Sequence, residues 1–224
     1  MMINWLGILV VVGLIGGIIF LAGGAPEKQK SREDFLKELA EFLEGKFCAI
    51  AGKEDSYRVD FEFEGIPFYF EDVEQKGFRG KAYKTYLKVK TKSELTLYFT
   101  EKENAAVKMT MVMASEIPNE PIQVQQKVNL PSSLNTFKAF TNNAFRANQL
   151  LENKKIEQIF LEFKNLHKRG SPFLSISIVN GIVILEFHTI ATFKPNMIAL
   201  RNNPSLIDHY VERLGLVVQE LNKK

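Results

Sequence analysis

Cysteine is nearly absent from this chain: its 224 residues hold one, Cys48. No intrachain disulfide and no cysteine-based metal centre can form. Cys48 lies in KFCAIAG among apolar neighbours. A catalytic thiol wants an electropositive, partly exposed setting, so this one reads as a buried structural residue. Histidine is also scarce, with three residues. His167, His188 and His209 are far apart in sequence and could meet on a metal only through the fold. No sign of charge dominates, since 29 basic side chains stand against 26 acidic ones, a formal net charge of +3. A nucleic-acid-binding domain usually carries a larger excess, so no nucleic-acid partner is expected. The Gly-rich phosphate loops, HExxH, CxxC and the GxSxG elbow are all missing. No cofactor, metal site or catalytic residue is expected on this basis.

One long uncharged run is present. MMINWLGILVVVGLIGGIIFLAGGAPEKQK opens the chain, and residues 3–22 within it carry no formal side-chain charge. At about 1.5 Å per residue, twenty helical residues cover about 30 Å, the hydrocarbon thickness of a bilayer. Trp5 stands near one end, where an indole favours the lipid–water interface. The spacing predicts a single-pass transmembrane helix in a 1–25 anchor, with a soluble domain over 26–224. A cleaved signal peptide is the rival reading. Gly23 and Ala25 suit its −3 and −1 positions, but no basic residue precedes the run and the run is long for a signal. Lys28, Lys30 and Arg32 follow the span and only the α-amine precedes it. The positive-inside rule then puts the domain on the cytoplasmic side. Gly13 and Gly17 form a GxxxG step, a candidate helix–helix contact in lipid that would give a homodimer. A glycine-rich monomeric anchor is the plainer account.

Beyond the anchor the hydrophobic period changes repeatedly. SREDFLKELAEFLEGK predicts an amphipathic helix of about fourteen residues, capped at Ser31 and stopped at Gly45. YRVDFEFE then alternates: Tyr57, Val59, Phe61 and Phe63 face one way, Arg58, Asp60, Glu62 and Glu64 the other. That is a half-buried strand. PFYFEDVE, YKTYLKVK, ELTLYFTE and AVKMTMVMA read as further strands, so 57–114 is expected to form an antiparallel meander. ASEIPNEPIQ marks a candidate subdomain junction near 115–122. The second half is mixed. TFKAFT predicts a short strand, and 142–168 one helix or two. FLSISIVNGIVILEF predicts a hairpin turning at Asn180–Gly181, a pair that tolerates positive φ. A closing helix is capped by Asn203 with Pro204 at its first turn. The expected class is α+β.

Charged residues then narrow the choices. Asp60, Glu62 and Glu64, with Glu71 and Asp72, could do acid–base work if their environments differed. On an alternating strand they look like a solvated face. In KAYKTYLKVKTK the even positions are Lys84, Tyr86, Lys88, Lys90 and Lys92. Such a face is a candidate contact for an anionic surface such as lipid headgroups. The alternative is that it pairs across strands with the acidic face of 58–64 on one sheet surface.

The run from Thr136 to Phe187, TFKAFTNNAFRANQLLENKKIEQIFLEFKNLHKRGSPFLSISIVNGIVILEF, covers about a quarter of the chain. It resembles a segment of membrane-anchored bacterial proteins of uncharacterised function. A short aromatic strand leads to an Asn-rich turn, a Leu-Leu helix end, a second amphipathic helix and an apolar hairpin. The resemblance implies a shared α+β module and a bacterial source, so the anchor is expected in the inner membrane of a bacterial cell. It implies no activity and no site. A non-catalytic domain that binds a protein partner or the membrane surface is therefore expected. An enzyme whose site forms only in the fold, or a domain holding an apolar ligand, is the alternative.

Overall fold

The structure, a computed structural model, describes residues 32–77, 80–101, 128–164, 166, 174–187 and 205–223. The candidate span, the GxxxG step, His167, His188, the strand expected over 106–114, the 115–122 junction and the capping residues Ser31, Asn203 and Pro204 lie outside these residues. Among the described residues no helix is long and apolar enough to cross a membrane. The chain divides after Phe35 into two compact units. The packing below concerns the second, 36–224.

The first helix, α1 (Arg32–Phe42), carries Glu33 and Asp34 in its opening turn, where the helix dipole favours negative charge. It stops where expected, for a different reason. Glu44, not Gly45, takes the left-handed conformation, with φ +50°. The Gly45 N–H closes the turn by donating to the Ala40 carbonyl at 2.8 Å. A Cβ on Gly45 would lie 2.6 Å from the Asp60 carbonyl oxygen. Glycine is needed there because the chain presses against the neighbouring strand.

Eight strands form one antiparallel sheet: β1 (Lys46–Ala49), β2 (Tyr57–Phe63), β3 (Ile66–Gly77), β4 (Gly80–Lys90), β5 (Leu97–Glu101), β6 (Phe137–Thr141), β7 (Ile176–Val179) and β8 (Ile182–Phe187). Their spatial order is β1-β2-β3-β4-β8-β7-β5-β6. The class is therefore α+β as expected, but the meander stops at β4. β5 does not pair with β4; it pairs with β6, and with β7 at Leu97↔Ile178. The place beside β4 goes to β8, which sets Leu185 against Leu87 and Val183 against Val89, all buried. The β7–β8 hairpin turns at Asn180 and Gly181, with φ +51° and +72°. The chain leaving β4 passes the tip of that hairpin, and the Thr91 N–H donates to the Gly181 carbonyl at 2.8 Å. Asn142 pins the next stretch, its Nδ2 donating to the Glu94 carbonyl and its Oδ1 accepting from the Thr96 N–H, both at 2.8 Å.

Three further helices are described: α2 (Ala144–Glu152), α3 (Lys154–Lys164) and α4 (Ser205–Leu221). Asn153 separates α2 from α3 with an extended ψ of 109°. Its Oδ1 accepts from the Lys155 N–H at 3.0 Å, as an opening cap would. On the sheet, Val59, Phe68, Phe70, Leu87, Val89, Leu97, Phe99, Ile178, Val183 and Leu185 are buried, and the registers place them on one face. Phe160 of α3 meets Phe99 edge-on at 5.3 Å, and Tyr210 of α4 meets Phe187 at 5.1 Å. The Phe residues thus fill the layer between sheet and helices. Arg146 caps the end of α4, donating through Nη2 to the Leu221 and Lys223 carbonyls at 3.2 and 3.4 Å.

Gly45→Ala should lower stability by about 1–3 kcal/mol, because backbone atoms cannot yield as a side chain can. Chemical denaturation would show a lower midpoint with an unchanged slope. An unchanged midpoint would mean that the contact with Asp60 relaxes freely.

Candidate functional site

The expected lysine face exists, and the expected acidic face stands beside it. Register sets Tyr69 opposite Lys88 and Glu71 opposite Tyr86 across β3–β4, and Glu186 opposite Tyr86 across β4–β8. Period-two alternation then puts Arg58, Asp60, Tyr69, Glu71, Lys84, Tyr86, Lys88, Lys90 and Glu186 on the sheet face opposite the helices. Arg58 Nε lies 2.6 Å from Asp60 Oδ1. Lys88 Nζ lies 2.7 Å from Glu71 Oε2, and Lys84 Nζ lies 3.5 Å from Glu186 Oε1. The cations also sit on aromatic rings. Lys88 is 4.8 Å from the Tyr86 centroid, and Arg58 and Lys90 are 5.4 and 5.7 Å from that of Tyr69.

This arrangement changes what the face can do. Lys84 and Lys88 are neutralised locally, so a row of lysines does not act as a row of free positive charge. Tyr86 is 5% exposed and offers little ring surface for stacking. Lys92 lies past the end of β4 in an exposed loop, where its N–H donates to Asn222 Oδ1 at 2.9 Å. Lys90 is exposed at the end of β4, against the Tyr69 ring.

A second polar cluster lies on the helix-facing side. Asp72 does not share the solvated face with Glu71; it is 1% exposed. It follows Phe68 and Phe70 in alternation and accepts a hydrogen bond from Thr85 Oγ1 at 3.3 Å. Glu74 comes two residues later on the same side, opposite Tyr83. The Glu74 N–H donates to Ser56 Oγ at 2.9 Å, and Ser56 is fully buried. Glu74 is half-buried; a buried carboxylate is costly unless hydrogen-bonded or paired, so Asp72 marks this corner as the chemically distinctive part of the core. The signal was in the sequence: FYFEDVE alternates, and Asp72 falls in step with Phe70.

The remaining candidates separate. Cys48 is half-buried on β1, not in the core, and its Sγ donates to the Arg58 carbonyl at 3.5 Å. The sequence showed no strand at KFCA; four residues are too few for a period to declare itself. His209 on α4 turns its Nε2 to Glu162 Oε2 at 3.6 Å, and Arg213 Nε reaches the same oxygen at 3.2 Å. Together they clasp α3 to α4, and Asp208 has no part in it. Burial, with help from the nearby Glu212, pushes the Asp208 carboxyl above its usual range. Among the described residues no group of three or more His, Cys, Asp or Glu is placed to hold a metal ion.

Lys88→Met should cost about 1–3 kcal/mol, because it strips the counter-charge from a mostly covered Glu71. The double variant Lys88→Met/Glu71→Leu should cost less than Lys88→Met alone, since no charge is then left uncompensated. A denaturation cycle measures both. Equal additive losses would show that the pair is not coupled. No protein-family model, curated protein or solved structure matches the chain.

Proposed function

We propose that the chain is a single-pass protein of a bacterial inner membrane, whose α+β domain binds a protein partner or the membrane surface without catalysing a reaction. The observation that carries this reading is the run of twenty residues, 3–22, with no side-chain charge, long enough to span the bilayer as a helix. The three basic residues after it support a cytoplasmic domain, and the resemblance of Thr136–Phe187 supports the bacterial setting. The domain offers a wide sheet face on which charge is largely balanced, which suits a partner chosen by shape more than by net charge.

One observation favours a second reading, an enzyme whose site forms only in the fold. Asp72, which is buried, and Glu74, which is half-buried, lie two residues apart on the helix-facing side of β3, and carboxylates with unlike surroundings are the raw material of acid–base catalysis.

Two lysines within the span test the first reading. Each costs about 2.5–3.5 kcal/mol at the centre of a transmembrane helix. The parent chain should stay in carbonate-washed membranes at full mass, and the Val11→Lys/Ile15→Lys variant should be released. A parent chain that is itself released, or shortened at its N-terminus, would contradict the anchor.

A further inference from the structure

Phe145 is 76% exposed, against 49% for Phe42 and 39% for Leu216, the other large apolar side chains exposed among the described residues. It stands in the first turn of α2, two residues after the Asn143 cap, whose side chain accepts from the Arg146 N–H. The fold does not use its ring: α2 buries Ala147, Leu150 and Leu151 instead.

We propose that Phe145 inserts its ring into the surface of the bilayer that carries the anchor, so that the domain docks on lipid through the start of α2. This deepens the reading above and rests on it. Three features select lipid over a protein partner. Among the described residues Phe145 is not part of an exposed apolar patch: Asn142, Asn143 and Gln149 around it are polar and exposed. A hot spot at a protein interface sits inside a patch that excludes water, whereas a lone ring suits the headgroup zone. Basic residues accompany it. Arg146 follows it and, in capping α4 at the Leu221 and Lys223 carbonyls, brings Lys223, itself paired with Glu220 at 2.6 Å, to this corner; rings with Lys and Arg are the composition of interfacial anchors. Finally, the reach is short. The nine residues 23–31 extend at most about 30 Å, and a domain of this length has a radius of gyration of about 16 Å. The domain therefore stays beside the bilayer, and a surface ring meets lipid at high effective concentration.

The test uses the full chain in zwitterionic phosphatidylcholine vesicles, with Trp5→Phe and Phe145→Trp leaving one tryptophan. Flotation on a density gradient reports the anchor independently. Acyl-chain-brominated lipid should quench most of the emission from position 145, and its maximum should lie to the blue of that in detergent-free denaturant. Chain that floats with an unquenched, red-shifted tryptophan would overturn the docking and leave the anchor standing. Chain that does not float would overturn both. Quenching that persists in Phe145→Trp/Arg146→Gln keeps the docking and assigns it to the ring; quenching lost there would assign the contact to the cation and overturn insertion by the ring. Matching near-ultraviolet dichroism of the variants and the parent would exclude misfolding as the cause.

Discussion

The pairing of β4 with β8 is the constraint on which the rest depends. It joins Leu87 to Leu185 and Val89 to Val183, strands from the two halves of the chain. Without it there would be a four-stranded meander, β1 to β4, and a separate β5–β8 group. Closing so long a loop costs entropy that grows only slowly with length, and the buried Leu and Val pairs offset it. The crossing is then locked at its margin. Thr91 bonds to Gly181 at the hairpin tip, and Asn222 at the end of α4 accepts from Thr91 Oγ1 and the Lys92 N–H at 2.8 and 2.9 Å. A single short loop thus ties the meander, the hairpin and the last helix together.

Joining the halves gives the sheet two unlike faces. One is covered by α3 and α4 through Phe99, Phe160, Phe187 and Tyr210. The other balances its charges within itself. Ion pairs on this face also set what the surface can attract, whatever each contributes to stability. With Lys88 on Glu71 and Lys84 near Glu186, long-range attraction to anions is weak. Cations stacked on Tyr69 and Tyr86 hold the side chains close to the sheet. A partner for this face would be recognised by contact rather than steered from a distance. The buried Asp72 and the half-buried Glu74 stand apart from that surface, on the other side of the same strand.

Much of this was legible in the sequence. Alternation in YRVDFEFE and YKTYLKVK assigned the faces of β2 and β4, and Asn180–Gly181 announced the hairpin. The helix stripe Ile156, Ile159, Phe160 and Phe163 is the buried face of α3. Three things were not legible. Strand order was lost because β5 and β8 are both apolar, and only tertiary packing decides which lies beside β4. Asp72 was grouped with Glu71 by proximity, although period two puts neighbours on opposite faces. Lys92 was counted with the strand because lysine spacing continued where the hydrogen-bonded ladder did not. The ion pairs were foreseeable only as an alternative, since register decides which acid meets which lysine.

The most direct test of the account as a membrane-held domain is its sidedness. Cys48 would be replaced by alanine, a mild change at a half-buried site, and a cysteine added after Lys224. Intact and lysed cells would then be treated with a membrane-impermeant maleimide, with chain mass read alongside. The account predicts labelling only after lysis, on an uncleaved chain. Labelling in intact cells would contradict it and put the sheet domain outside the membrane.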